Sequence, residues 1–545
     1  MSEPTSSATN LSSTNVRTGS FTRWHLGVIG VLTFASLAYL ATPTIPLGVP
    51  GEWTWARRTL EEIDRLALGL SLLLCAGYWA IVNWGETRLR RSLAGERLLI
   101  AGQCLLAFVW LLGMLSVQPD FRGIARSPTV LYYKRTEGYF FQAAFEVRDS
   151  REFLHSYRDS IASGDNPDRY LHLGTHPPGL TLLYRGLLTM NQSPWLTESL
   201  ITSEPTGVSD GFASLRHYPT PQKEPMTQAQ EATLWAATLL TLLAAAATCW
   251  PIYRLASRMG GPVAGWRAAA LWPLVPSLLV FFPKSDLLCP LIGTASCWLW
   301  LDGWSRLRWG RCVLAGMGFF TGLMLTLALA PVALLLVIQT ILERWARREE
   351  FRDRPVRYDI AAVMAAVIGF LIPFGALSLW GRCNLVGIWF QNLQNHAMFY
   401  DHNSRSYWTW LFVNPLEAAL ALGVPLACLV GVGLIRSLRE RVSRRISFSQ
   451  TLAWISVWAF LWLSGKNMGE AARLWIFLAP WPVMTAAISM SPKRHRSTES
   501  APSTGDSQEW IRSTAWGILL ILQLFANIWT TAWVDGFHFA ELLGS

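Results

Sequence analysis

The chain has 545 residues, of which 51% are hydrophobic and only 15% charged, and its formal net charge is +10. Soluble domains average about 25% charged residues, and several windows here of roughly 18 or more residues are almost purely apolar, each long enough to cross a bilayer. Composition therefore excludes a soluble enzyme and points to a polytopic membrane protein. The basic residues sit in short loops between apolar runs, so the excess charge reports orientation and excludes a nucleic-acid partner.

In chain order, residues 1–22 are rich in Ser, Thr and Asn and read as a disordered cytoplasmic tail. The first apolar run, Trp24 to Thr42, has no convincing cleavage site after it and reads as a retained anchor. Spans are predicted near 24–42, 66–84, 98–116, 231–250, 264–283, 286–303, 312–327, 330–344, 358–380, 413–435, 450–465, 474–490 and 513–533. The expected fold is thus an all-α polytopic membrane protein with about 13 transmembrane helices. Arginine clusters follow alternate spans: Arg88, Arg90, Arg91 and Arg97; Arg254, Arg258 and Arg267; Arg306, Arg308 and Arg311; the stretch ERWARREEFRDRPVR; Arg436 to Arg445; and Lys493 to Arg496. Those loops are expected in the cytoplasm, which puts the N-terminus inside, the C-terminus outside, and the protein in the cell membrane. Many of the 29 Trp flank spans, where indole prefers the interface. Seven of the eight Cys (Cys75, Cys104, Cys249, Cys289, Cys297, Cys312 and Cys428) fall inside apolar runs. Only Cys383 is clearly in a loop, and no spacing suggests disulfides or a metal site.

The outer connections are then 43–65, 117–230, 284–286, 381–412 and 466–473. Within the longest lies LHLGTHPPGLTLLY (171–184), whose apolar run Leu180–Leu188 is too short to cross a bilayer. Pro177 and Pro178 can open a helix but do not sit well within one. The stretch therefore reads as a short interfacial helix on the outer face. No predicted span carries a charge at its middle, which argues against an ion-coupled pump. The polar residues gather instead at the outer rim, where chemistry at the membrane–water interface is expected.

The order of these segments resembles the GT-C superfamily of membrane glycosyltransferases, in particular the branch with protein O-mannosyltransferases and the lipid A aminoarabinose transferase. The likeness rests on span 98–116, the helix-like EGYFFQAAFEV (137–147) and THPPGLTLLYRGLL (175–188). It continues through TLLAAAATCWPIYRLASRMGG (241–261), WRAAALWPLVPSLLVFFPKSD (266–286) and GLMLTLALAPVALLLVIQTILERW (322–345). It covers roughly 98–345 and so divides the chain into a tail 1–22, two extra spans in 23–97, a GT-C-like core 98–345 with outer loop 117–230, and a C-terminal region 346–545 with outer loop 381–412. The early spans, and an insertion at 191–230 longer than the pattern, depart from it.

The resemblance implies a polyprenyl-phosphate sugar donor, an acceptor that is a glycan, lipid or protein, and transfer at the non-cytoplasmic face. Such transfer needs a base for the acceptor proton, cations or donors for the leaving phosphate, and an apolar groove for the lipid. Glu137 is the first candidate base, four residues before Phe141 and so on one face with it if the segment is helical. Asp120, just past span 98–116, is the alternative. Asp286 sits where the branch places its second acidic residue, with Lys284 beside it, and it could equally N-cap the next helix. Candidate substrate-binding residues are His176, then Asn395, His396, Tyr400, Arg405 and Tyr407 from FQNLQNHAMFYDHNSRSYWTW, and Glu470 and Arg473 from GKNMGEAARLWIF. Arginine suits phosphate because its planar fork matches two oxygens. Each of these also has an ordinary reading as a cap, an interfacial belt residue or a structural ion pair. No cofactor is evident. Some GT-C enzymes use a divalent ion, which this sequence neither requires nor excludes. Gly260–Gly261 lacks the strand–loop–helix context of a phosphate loop. The rival expectations are a transporter or flippase of lipid-linked saccharides and a non-catalytic membrane scaffold.

Overall fold

The structure, a computed structural model, describes residues 23–119, 123–163, 172–217, 225–439, 445–491 and 505–537. The expected tail 1–22 lies outside them. Each predicted apolar run falls on a helix, because a backbone without water has to satisfy its polar groups within the segment. Among the described residues eight helices are long and apolar enough to cross a membrane: Arg65–Arg91, Glu96–Ser116, Gln228–Gly260, Pro262–Val280, Leu327–Ala346, Val356–Gly381, Ile446–Leu463 and Thr514–Trp533. A bent pair makes a ninth. Trp24–Leu40, Trp309–Leu325 and Ile476–Ser489 are apolar but shorter, and Cys289–Arg306 occupies the remaining run. The fold is all-helical and multi-pass, with only two two-stranded ribbons among the described residues.

Helix starts follow local chemistry. Asp64 caps Arg65–Arg91, its Oδ1 accepting from the Leu66 and Ala67 amides at 2.7 and 2.9 Å. Thr227 and Gln230 form a capping box ahead of Gln228–Ala247. Gly261, at φ +83, turns the chain between Cys249–Gly260 and Pro262–Leu271.

Two expectations are corrected. The single span predicted at 413–435 is broken: Tyr407–Leu422 and Val424–Leu438 meet at 109°. Gly423 takes φ +87 at the break, and Pro425 follows without an amide hydrogen. The freed backbone groups find Gln523 on the last long helix. Its amide donates to the Leu274 and Leu422 carbonyls at 2.9 and 2.8 Å, and its Oε1 accepts from the Leu426 amide at 3.2 Å. The loop predicted at 381–412 is mostly helix, Leu385–His402, started by Asn384, whose Oδ1 accepts from the Gly387 amide. Its inward face carries Ile388, Asn392 and Asn395, all fully buried, at helical spacing.

The loops form two separate sets of contacts. In one, the arginine-rich segments interlock. Buried Arg267 grips Glu86 in two hydrogen bonds of 2.8 and 2.6 Å and lies over the Trp516 ring at 4.7 Å. Glu343 there takes both Arg258 and Arg347. In the other, segments 43–64, 123–147, 172–179, 281–288, 403–406 and 464–474 meet. A buried Arg126 holds the turn after Pro276–Val280, donating to the Phe282 and Val280 carbonyls at 2.7 and 3.1 Å and to that of Leu279. The bundle thus has an arginine end and, opposite in the alternation of loops, a cleft end.

Gln523→Leu removes the partner of one carbonyl and one amide at the break, Leu422 and Leu426, and of the Leu274 carbonyl beside it, so it is expected to cost about 1–3 kcal/mol. The measurement is the Tm of the purified protein in detergent. An unchanged Tm would mean that the break is held by something other than this amide.

Candidate functional site

The cleft is built from five segments distant in sequence. Glu137, Tyr139, His176, Lys284, Asp286 and Arg473 line it, with Ser285, Leu180 and Thr326 between them. Glu137 ends the segment after Glu96–Ser116. Thr136 anchors the approach, its hydroxyl donating to the Tyr133 carbonyl at 2.8 Å. Gly138 then turns at φ +81, where a Cβ would meet the Lys134 carbonyl oxygen at 2.8 Å. The segment expected to be helix-like over 137–147 is helical from Tyr139 to Glu146 only. The chain makes one short turn, Tyr139–Phe141, followed by a wide turn, Gln142–Glu146. Glu137 precedes both, so it does not share a helix face with Phe141.

The carboxyl of Glu137 is buried, 1% exposed, and one oxygen accepts from the Ser285 amide at 2.8 Å. The other oxygen has no hydrogen-bond partner within the protein and belongs to the cleft wall. Burial pushes this carboxyl up to about 6, against the charge of Lys284 and the Ser285 hydrogen bond. Lys284, itself buried, donates to the Thr136 carbonyl. Burial and then the charge of Arg473 bring its ammonium down to about 8. Asp286 lies with Oδ2 3.9 Å from Arg473 Nε, and Arg473 Nη2 pairs with Glu470 at 2.6 Å. Burial opposes the Arg473 charge, but Glu470, Asp286, Tyr139 and Glu137 outweigh it and hold the guanidinium protonated.

His176 arrives on the double-proline turn. As expected, a short amphipathic helix follows, Gly179–Met190, and Leu180 and Thr181 are buried on its inward face. It docks on the wide turn: the Thr181 hydroxyl donates to Gln142 Oε1 at 2.7 Å and Arg185 donates to the Ala143 carbonyl at 3.2 Å. Glycine at 179 is required because a Cβ there would lie 2.2 Å from the Met324 carbonyl oxygen, just ahead of Leu325 and Thr326 in the cleft wall. The turn hangs from the helix Leu385–His402. Asn392 donates to the Gly174 and His176 carbonyls at 2.9 Å, Asn395 donates to those of Ile161 and Gly174, and the Tyr157 hydroxyl reaches Leu173 and His176 at 2.8 Å. The His176 ring stands edge-on to Tyr139 at 6.1 Å.

Of the residues expected from the sequence, Glu137, Asp286, Lys284, His176 and Arg473 therefore meet in the cleft, and Glu470 joins through Arg473. Asp120 lies outside the described residues. Asn395, Tyr400, Arg405 and Tyr407 are turned to holding neighbouring chain. The Tyr400 hydroxyl donates to the Lys466 carbonyl and accepts from the Met468 amide, Tyr407 donates to the Leu463 carbonyl, and Arg405 donates to that of Glu52. His396 is on the same helix, where burial lowers its pKa. Sequence reading missed Tyr139 and Thr326 in the wall, and Arg126, Trp55 and Glu417 behind it. The turn-forming Gly138 was the available signal for Tyr139; the others are ordinary residues until the chain is folded.

An apolar cavity of about 220 Å³ adjoins the cleft across the segment Ala471–Ala479, lined among others by Pro415, Ala418, Leu434, Trp454, Trp458 and Trp475. It occupies the angle made by the broken helix. Among the described residues no three of His, Cys, Asp and Glu are grouped to hold a metal ion, and the cleft offers no such group.

No protein-family model matches the chain, and no curated protein sequence matches it. Among solved structures it is similar to the oligosaccharyltransferase AglB of Archaeoglobus fulgidus in complex with an inhibitory peptide and a dolichol-phosphate. That match has a TM-score of 0.43 and 10% identity over 82% of this chain and 57% of the other. A second structure of an Archaeoglobus fulgidus oligosaccharyltransferase, with Zn and sulfate, gives 0.37 and 12% over 67% and 45%. ArnT from Cupriavidus metallidurans bound to undecaprenyl phosphate gives 0.38 and 13% over 72% and 74%. The chain spans about half the length of the archaeal structures it matches.

Gly179→Ala is expected to destabilise by about 1–3 kcal/mol by forcing the Met324 backbone aside. Gly186→Ala, inside the same helix with nothing within 4 Å of its Cβ, should not destabilise and should add about 0.5–1 kcal/mol from helix propensity. Detergent-unfolding midpoints of the two variants check this, and equal midpoints would reject the close approach.

Proposed function

We propose that the protein is a glycosyltransferase that moves a sugar from a polyprenyl-phosphate donor to an acceptor glycan, lipid or protein. The observation that carries this reading is the meeting of two carboxyls, Glu137 and Asp286, with two cations, Lys284 and Arg473, in one small cleft beside an apolar cavity. The arginine-rich loops gather at the other end, which supports reading the cleft end as non-cytoplasmic and the N-terminus as inside.

In this reading the acceptor hydroxyl attacks the anomeric carbon, the bond from that carbon to the phosphate oxygen breaks, and the electron pair leaves on the phosphate. The acceptor proton passes to Glu137, which lines the cleft and whose second carboxyl oxygen has no hydrogen-bond partner within the protein. Lys284 and Arg473 balance the charge of the departing lipid phosphate, with His176 as a further donor. Asp286 orients Arg473 and the acceptor. The apolar cavity takes the first isoprene units. Asn395, His396, Tyr400, Arg405 and Tyr407 shape the cleft from behind.

The test is turnover of radiolabelled polyprenyl-phosphate sugars by the protein in lipid nanodiscs. Glu137→Gln is expected to lower kcat by about 10²- to 10⁴-fold, and Asp286→Asn to lower turnover as well. The base works only when deprotonated, so activity should rise with pH through about 6, the range to which burial lifts Glu137. It should fall above about 8, where Lys284 loses its proton. Turnover that survives both substitutions rejects this cleft; a failure to consume any donor rejects the reaction.

A further inference from the structure

Resting on the transferase reading, one question about the cleft remains: what sets Arg473 opposite Asp286. The segment that carries Arg473 is not held by its own hydrogen bonds alone. Gly465, Gly469 and Glu470 all take left-handed backbone, at φ +64, +85 and +55, and Glu470 is not a glycine. Two side chains of one other element, the helix Tyr407–Leu422, hold it. Asn414 donates to the Asn467 carbonyl at 2.7 Å and accepts from the Gly469 amide at 3.4 Å. Glu417, 1% exposed, accepts from the Ala471 amide with Oε2 at 3.1 Å, at the start of the short turn Ala471–Leu474.

The second oxygen of Glu417 is used as well. It accepts from the indole N–H of Trp55 at 3.0 Å. Trp55 belongs to the connection between the two early helices, Arg23–Leu40 and Arg65–Arg91, and is 6% exposed. Its ring packs on Phe281 at 4.9 Å between centroids, and the Phe281 carbonyl accepts from the Lys284 amide at 2.9 Å. Trp55 therefore touches both halves of the cleft at once. Through Phe281 it meets the turn with Lys284 and Asp286; through Glu417 it meets the turn with Arg473. The neighbouring Glu52 ties the same connection to the far side, accepting from the Ser406 amide at 2.9 Å and the Trp410 indole at 2.6 Å.

We infer that Glu417 and Trp55 are positioning residues that set Arg473 against Asp286, and that this brace is what the two extra N-terminal spans contribute to the site. A carboxylate is needed at 417 because two N–H groups converge on it; glutamine offers one acceptor oxygen and one amine that faces a donor. Phenylalanine at 55 keeps the ring packing and removes the indole donor.

Glu417→Gln and Trp55→Phe test this in the full-length protein, with two readouts. The first is amide hydrogen exchange over 465–476, which needs no substrate: both variants should exchange about tenfold faster there, with the rest of the chain unchanged. The second is a double-mutant cycle with Arg473→Gln on the KM for the polyprenyl-phosphate sugar. Each brace variant alone should raise KM about tenfold, and in the Arg473→Gln background should raise it less than about twofold, because the residue it acts through is gone. Wild-type exchange over 465–476 in both variants overturns the brace, and so do additive effects on KM. If the wild type turns over no donor, the transferase reading fails, while the exchange measurement still decides whether Glu417 and Trp55 hold the Arg473 turn.

Discussion

The buried carboxyl of Glu137 is the constraint around which the cleft end is organised. An ionised carboxylate inside a protein is costly unless its oxygens meet donors and its charge meets a cation. Glu137 has one such donor, the Ser285 amide, on a turn nearly 150 residues away in the chain. Lys284 supplies the positive charge and is itself tied back to Thr136, the residue before Glu137. These two reciprocal contacts join the segment after the third helix to the turn at 281–288. Everything else in the cleft is arranged on that joint: Arg126 stabilises the turn from one side, Trp55 packs on it from another, and Asp286 projects toward Arg473.

A second requirement comes from the membrane. Backbone groups freed within the bundle must find partners there. The break at Gly423 is affordable only because Gln523 reaches it, and the break is what opens the angle containing the apolar cavity. The same bend brings Asn414 and Glu417 to the segment 464–474, so one irregularity both makes room for apolar material and fixes the polar turn beside it. The double-proline turn obeys similar logic. Its carbonyls cannot pair within a helix, and Asn392, Asn395 and Tyr157 take them.

Much of this was legible in the linear chain. Apolar run lengths placed the helices, arginine spacing sorted the loops into two ends, and Pro177–Pro178 marked the start of the interfacial helix. Five residues of the cleft, Glu137, His176, Lys284, Asp286 and Arg473, were accessible because polar groups at the rim of apolar helices are conspicuous. Others were misread for definite reasons. Gly423 with Pro425 looked like tolerated residues in one long span, since periodicity does not show an angle. That Tyr400, Tyr407 and Arg405 each donate to a backbone carbonyl was not legible, since composition does not say whether a hydroxyl or guanidinium faces solvent or neighbouring chain. Glu417 passed as an unremarkable acid near a helix end, and Trp55 as one of many interfacial tryptophans.

The sequence alone determined that the chain is a helical membrane protein, with its arginine-rich loops following alternate apolar runs. Those properties follow from local composition and from the cost of exposing backbone or charge to lipid. Only the tertiary structure decided which polar residues share a cleft and which hold it together. The difference lies in hydrogen bonds between segments tens to hundreds of residues apart, such as Ser285 to Glu137, Asn392 to His176 and Trp55 to Glu417. No period or motif along the chain encodes such a pairing, because it depends on how packed helices bring their ends together.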